Sequence, residues 1–137
     1  RKMSTTGGTE QGTVKLLDEP DTIRKKFRSA VTDSGREIRR AEDKPGVTNL
    51  IEIMAVATGD SPEAIEARYD GAGYRRFKEE VAEAVVELLD PIRLHYGELR
   101  ADPAELARIL ARGAAKAHTI AAATLTRVHE RVGFVPP

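Results

Sequence analysis

Apolar residues recur at helical spacing along most of this chain. In residues 16–31, Ile23 and Phe27 lie about one helical turn apart, and either Asp18 or Asp21 is placed to cap the first turn. The pattern therefore predicts a first helix with one apolar face.

The basic residues of this helix, Lys25, Lys26 and Arg28, fall mostly on its other faces. The turn formers of "TDSG" then end the helix. The next segment, "REIRRAEDKPG" (36–46), is polar and irregular, which predicts an exposed connection.

Residues 47–59 predict a largely buried helix that Gly59 ends. Its β-branched residues leave a strand as the alternative, but the neighbouring helical patterns favour a helix. The apolar positions are Val47, Leu50, Ile51, Met54 and Val56. A short helix follows in residues 61–71, with Ser61 as its cap and Pro62 at its first position.

The longest periodic stretch is residues 74–100, in which Pro91 should kink the helix or divide it in two. Its apolar residues are at positions 77, 81, 84, 88, 92, 96 and 99. The last segment begins with Asp102 as cap and Glu105 completing a capping box, and it ends at Gly133. Its apolar stripe consists of Leu106, Ile109, Leu110, Ala114, Ala117, Ile120, Ala121, Leu125, Val128 and Val132.

These patterns predict an all-α fold, a bundle of about five helices preceded by a flexible Gly/Thr-rich loop. The 137 residues suit one domain, and 40% hydrophobic residues can form an aliphatic core. The sequence has no cysteine, no signal-peptide core and no run near the roughly 20 apolar residues of a membrane span. We therefore expect a cytoplasmic protein without a membrane partner.

Charge is distributed unevenly although the net charge is zero. Residues 1–40 carry ten Lys/Arg and six Asp/Glu, with the basic excess concentrated in residues 24–40. Such a patch can attract polyanions, although a solvated helix face would have the same composition. The three histidines, His95, His118 and His129, have no metal-ligand spacing, so we expect no metal site.

The first residues, "KMSTTGG" at positions 2–8, have the chemistry of a phosphate-binding loop. Lys2 is a cation, Ser4, Thr5 and Thr6 offer hydroxyls, and the glycines expose backbone N–H groups. The glycine spacing is not that of a Walker loop, and a disordered basic tail would explain the composition about equally well.

"KMSTT" resembles the KMSKS signature of class I aminoacyl-tRNA synthetases. The stretches "AVTDS", "KPGVTNL" and "YDGAGYRRFK" closely resemble bacterial tryptophanyl-tRNA synthetases downstream of that signature, and the resemblance continues to the C-terminus. It implies that the chain is the C-terminal part of such an enzyme, starting at the KMSKS loop. Residues 1–17 would be the catalytic loop and residues 18–137 a helical anticodon-recognition domain.

The resemblance implies tryptophan–tRNA ligase activity for the parent protein. There, L-tryptophan and ATP with Mg²⁺ give tryptophanyl-adenylate and pyrophosphate, and the acyl group then passes to tRNA(Trp). Both substrate pockets would lie in a Rossmann domain upstream, so the 137-residue piece by itself is predicted to be inactive and to bind no cofactor. The parent is expected to be a homodimer.

Five residues carry over to the motif, with Lys2 as the catalytic residue and the set as the ATP-binding loop: Lys2, Met3, Ser4, Thr5 and Thr6. Thr5 stands where the family usually has its second lysine, so one positive charge is missing. Four cations near the "GYRRFK" turn and Pro91 are candidate tRNA contacts: Arg75, Arg76, Lys78 and Arg93.

Two alternatives remain open at this stage. The chain can be a stand-alone, non-catalytic helical module that binds RNA or protein and derives from the synthetase. It can also be a tyrosine-specific relative, although "KPGVTNL" argues against that reading.

Overall fold

A computed structural model describes residues 9–133. The described chain has no strand and contains a 3-10 turn at Glu10–Gly12 followed by five α-helices. These are α1 Pro20–Arg28, α2 Pro45–Thr58, α3 Pro62–Arg68, α4 Tyr74–Ala101 and α5 Pro103–Val132. The prediction of an all-α fold with about five helices is confirmed.

The described chain divides into two compact units, with the boundary between Leu94 and His95. Every buried hydrophobic residue among residues 9–133 belongs to the first unit, to which α1, α2, α3 and the first part of α4 contribute. The core consists of Ile23, Phe27, Ile38, Val47, Leu50, Ile51, Met54, Ile65, Tyr69, Phe77, Val81, Ala82, Val85 and Val86. Each large side chain of this set stabilises the unit by about 1.5–3 kcal/mol through burial.

Helix α1 is shorter than the pattern predicted, and its cap was predicted wrongly. Glu19 is the N-cap residue and makes no capping hydrogen bond with its side chain, so neither Asp18 nor Asp21 caps the helix. The carboxylate of Asp18 instead binds the ammonium of Lys26. A buried ammonium group needs an anionic partner more than an exposed helix end needs a cap.

The connection between α1 and α2 is not the exposed segment that its composition predicted. Ile38 belongs to the core and Lys44 is buried as well. The Ile38 side chain is part of the hydrophobic core, and the Lys44 ammonium is buried because it has hydrogen-bond acceptors, described below.

Helices α2 and α3 confirm the local signals. Gly59 ends α2 at a φ of 78°, a left-handed conformation that glycine adopts without strain. Ser61 caps α3, its hydroxyl accepting a hydrogen bond from the N–H of Ala64 at 3.2 Å. Val56, expected among the buried positions of α2, is 80% exposed, because it lies on the face of the helix away from the core.

Pro91 does not divide α4, which is one helix from Tyr74 to Ala101. The predicted apolar stripe is buried only in its first part, at Phe77 and Val81, whereas Leu88, Ile92 and Tyr96 are exposed. Periodicity identified the helix correctly but overstated how far along it the core extends.

In the second unit, α5 begins and ends as predicted. The Asp102 carboxylate accepts a hydrogen bond from the N–H of Glu105 at 2.9 Å, and Gly133 ends the helix at a φ of 79°. No residue of α5 is buried, so its apolar stripe does not form a core within the described residues. The predicted capping box is not completed, because the Glu105 carboxylate pairs with Arg108 and Arg112 and does not accept from the Asp102 N–H.

Gly46 allows the start of α2 to approach the backbone after α1 closely. A Cβ atom at this position would lie 2.3 Å from the carbonyl oxygen of Val31. We expect Gly46→Ala to lower the free energy of unfolding by about 1–3 kcal/mol, because the backbone must shift. Urea denaturation of the 137-residue chain, followed by circular dichroism, measures this.

Gly97→Ala is the matched control, since a Cβ atom there meets no atom within 4 Å. Alanine favours a helix over glycine by about 1 kcal/mol, so this variant should not be destabilised. Equal losses in the two variants would contradict the close approach.

Candidate functional site

The predicted motif residues lie outside the described part of the chain: Lys2, Met3, Ser4, Thr5 and Thr6. The geometry of the site therefore starts with residues 9–18, called the lead-in segment, which follow the KMSTTGG stretch and precede α1. Its 3-10 turn, Glu10–Gly12, is capped by Thr9, whose hydroxyl accepts a hydrogen bond from the N–H of Gly12 at 3.1 Å.

Lys26 attaches the lead-in segment to α1 from inside the unit. Its side chain is only 8% exposed, and its Nζ donates to the Thr13 carbonyl at 2.7 Å and to Asp18 Oδ2 at 2.5 Å. Asp18 Oδ2 also accepts from the N–H of Lys15 at 2.9 Å. One ammonium group thus holds both ends of a six-residue turn.

The Asp18 carboxylate is charged under this arrangement. Burial by itself would raise the pKa of Asp18, but the hydrogen bonds from Lys26 and from the Lys15 N–H and the nearby positive charges outweigh it and lower the pKa below its ordinary value. The contact is therefore an ion pair at neutral pH.

A second connection lies on the surface. Gln11 Nε2 donates to Ser29 Oγ at 2.7 Å, and the Ser29 hydroxyl donates to the carbonyl of Lys26 at 3.0 Å. A mainly apolar groove of about 520 Å³ lies beside these contacts. It is lined by the lead-in segment, α1 and α2, including Val14, Phe27 and Ile53.

Asp33, Lys44 and Tyr74, called the Lys44 cluster, join the α1–α2 connection to the start of α4. Lys44 Nζ donates to Asp33 Oδ1 at 3.0 Å and to the Tyr74 hydroxyl at 2.9 Å, and that hydroxyl donates to Asp33 Oδ1 at 2.8 Å. The hydrogen bond from Tyr74, with smaller contributions from Lys44 and the Gly35 N–H, outweighs desolvation and lowers the pKa of Asp33 to about 2.

The four candidate tRNA contacts lie in different environments. Arg75 and Arg76 are at the first turn of α4, each paired with a glutamate one turn further on, and the Arg75 side chain is 92% exposed. Lys78 is directed inward and donates to the Ala30 carbonyl at 2.6 Å. Arg93 joins Glu19 to Asp90, at 2.5 and 2.8 Å. All four cations thus make intramolecular contacts, but Arg75 and Arg76 are exposed whereas Lys78 and Arg93 are partly buried.

Ion pairs neutralise much of the basic patch in residues 24–40. Arg24 pairs with Asp21 and Glu83, and Arg40 pairs with Glu63 and Glu66. Arg39 pairs with Glu37 and Asp43. The exposed cations of this region that make no ion pair are Lys25, Arg28 and Arg36.

In residues 9–133, no group of three or more His, Asp or Glu residues is arranged to hold a metal ion. No helix in that part of the chain combines the length and apolar character needed to cross a bilayer.

The family described as tRNA synthetases class I (W and Y) matches residues 1–90. The chain belongs to this family. The matched range includes the KMSTT residues, the lead-in segment, the Lys44 cluster and Arg75, Arg76 and Lys78.

Two curated relatives are tryptophan–tRNA ligases. That of Mycobacterium leprae is 46% identical over 136 residues, covering 98% of this chain and 40% of the relative. That of Enterococcus faecalis is 48% identical over 135 residues, with the same coverage. The chain thus spans about 40% of the length of these relatives.

The structure is similar to that of tryptophanyl-tRNA synthetase from Mycoplasma pneumoniae. The TM-score is 0.77 at 26% sequence identity, and the similarity covers 99% of this chain and 43% of the other. The family resemblance inferred from the motifs is thereby confirmed over the whole chain, as is the helical fold.

Sequence reasoning missed Lys26 and the Lys44 cluster. Lys26 follows Ile23 by three residues and precedes Phe27, so it lies on the buried side of α1, contrary to its predicted place on another face. That spacing was a usable signal. For Lys44 no local signal exists, because its partners lie 11 and 30 residues away.

The Lys44 cluster predicts a specific acid dependence of stability. The pKa of Asp33 is lower in the folded chain than its ordinary value of 3.8. Its charged carboxylate therefore stabilises the fold at pH values above 3.8, and this stabilisation is lost as the pH falls toward 2. We expect Asp33→Asn to have a lower free energy of unfolding at pH 7. The free energy of unfolding of this variant should also fall less than that of the unchanged chain between pH 3.8 and pH 2. Urea titrations between pH 7 and pH 2 measure it.

Asp70→Asn is the control, since Asp70 is exposed and has no ion pair or side-chain hydrogen bond. This variant should retain the acid dependence of the unchanged chain. If Asp33→Asn also retains it, Asp33 is not the titrating group.

Proposed function

We propose that the chain is the part of a tryptophan–tRNA ligase that begins at the KMSKS loop. The observation that carries the proposal is the 46–48% identity to such ligases over 98% of the chain. The whole reaction would join L-tryptophan to ATP, release pyrophosphate, and transfer the tryptophanyl group from the adenylate to tRNA(Trp). ATP would enter as its Mg²⁺ complex.

In this proposal, residues 1–17 contribute the catalytic loop. Lys2 would stabilise the negative charge that develops on the leaving pyrophosphate, while Ser4, Thr5 and Thr6 donate hydrogen bonds to the phosphates and Met3 completes the motif. Because phosphoryl-group chemistry depends on positioning and electrostatics, a loop held at one end can suffice for this role. The attachment of the lead-in segment to α1 supports it.

Residues 18–137 would recognise the anticodon region of tRNA(Trp). Arg75 and Arg76 are exposed at the start of α4 and can exchange their glutamate partners for phosphates. Lys78 and Arg93 would contribute by keeping the surrounding backbone in place, given their intramolecular contacts. The pockets for L-tryptophan and for the adenine of ATP would lie outside this chain, which would contact ATP only through the phosphates. The chain by itself would be inactive, and the whole ligase would be a cytoplasmic homodimer.

Tryptophan-dependent exchange of pyrophosphate into ATP tests the reaction. The natural polypeptide that carries this chain should catalyse it with L-tryptophan and not with L-tyrosine. In Lys2→Ala, we expect kcat to fall about 100-fold, because a charge aimed at the transition state is removed. Lys25→Ala, which removes an exposed and unpaired lysine, should keep kcat. An unchanged kcat in Lys2→Ala would contradict the role of Lys2.

Filter binding of tRNA(Trp) at several salt concentrations tests the proposed surface. Arg75→Ala and Arg76→Ala should each weaken binding and reduce the slope of log K against log[salt] by about 1, as the loss of one phosphate contact does. Arg68→Ala is the control, because Arg68 is an exposed arginine that pairs with an acidic residue, Asp60, and lies in α3. Equal effects of all three variants would indicate a general charge effect and not a contact at α4.

A further inference from the structure

Lys26 is one of the two buried lysines of the described residues, the other being Lys44. Its neighbour Lys25 is exposed and has no partner, so the two lysines of α1 have opposite environments. Lys26 makes no ion pair with residues of its own helix. Both of its acceptors, the Thr13 carbonyl and Asp18, belong to the lead-in segment.

Helix α1 is itself firmly placed. Ile23 and Phe27, on either side of Lys26 along the helix, are 2% and 6% exposed in the core. The contacts of Lys26 therefore hold residues 13–18 in a fixed position relative to the core. Thr9, the residue that follows the KMSTTGG stretch, is four residues upstream of Thr13.

Stability alone does not account for this ion pair. A buried pair stabilises a fold little more than apolar side chains of similar size do, because both charges lose their hydration. The pair instead fixes a conformation, because the ammonium group can bind both acceptors only when the turn of residues 13–18 adopts one arrangement. The exposed Gln11–Ser29 hydrogen bond is too weak to replace it.

We propose that Lys26, with Asp18 as its partner, is a positioning residue that sets the exit of the KMSKS-like loop and thereby the approach of Lys2 to the phosphates of ATP. This inference rests on the proposed function. It assigns to a buried residue of α1 a part in the adenylation rate, although Lys26 touches no substrate.

The test compares two buried lysines in the natural polypeptide. Lys26 and Lys44 each pair with an aspartate and with one further acceptor. The variants Lys26→Met and Lys44→Met replace these lysines by an apolar residue of similar length. Only Lys26 contacts the lead-in segment. We expect Lys26→Met to lower kcat of pyrophosphate exchange about tenfold or more, with the KM for L-tryptophan unchanged, because misplacing a catalytic group by about 1 Å can cost 100-fold. Lys44→Met should keep kcat.

Amide hydrogen exchange on the 137-residue chain gives a second measurement that is independent of catalysis. The N–H of Lys15, which donates to Asp18, should exchange faster in Lys26→Met and at the unchanged rate in Lys44→Met. Thermal unfolding of both variants measures any general destabilisation.

Three outcomes overturn the inference. In the first, Lys26→Met keeps kcat within twofold while the unchanged protein is active, so that only the positioning role fails. In the second, both variants lose kcat equally, and general destabilisation explains the loss. In the third, the unchanged protein shows no tryptophan-dependent exchange, which removes the proposed function and with it the reaction that Lys26 was inferred to support.

Discussion

The first unit depends on one constraint, which is that a buried ammonium group must find acceptors. The buried Lys26 and Lys44, and also the half-buried Lys78, have partners from other segments. Lys26 binds the lead-in segment, Lys44 binds Asp33 and Tyr74, and Lys78 binds the carbonyl of Ala30. In each case a long cationic side chain joins a non-helical segment to a helix or to another segment.

Two kinds of interaction, apolar packing and polar contacts, have different parts in the structure of the first unit. The apolar core, built around residues such as Ile51 and Phe77, holds the helices together and includes one buried residue of the α1–α2 connection, Ile38. Hydrogen bonds and ion pairs direct the segments between the helices, because they require particular atoms at particular distances.

The second unit differs from the first in that its long helix, α5, has no buried residue. Helix α5 is formed by local signals, which are the Asp102 cap, an alanine-rich interior and Gly133 at its end. Its boundaries could thus be predicted closely from the sequence, while the apolar stripe gave no information on burial within the described chain.

The sequence by itself determined the helices, their caps at Ser61 and Asp102, and the family, because these signals act within a turn of helix or as contiguous motifs. Only the tertiary structure decided that Lys44 and Ile38 are buried and that α1 starts at Pro20. The physical reason is distance along the chain. A capping side chain binds a backbone N–H three residues away. The acceptors of a buried lysine can lie far away in the sequence, because only the folded backbone brings the carbonyl or carboxylate close to the ammonium group.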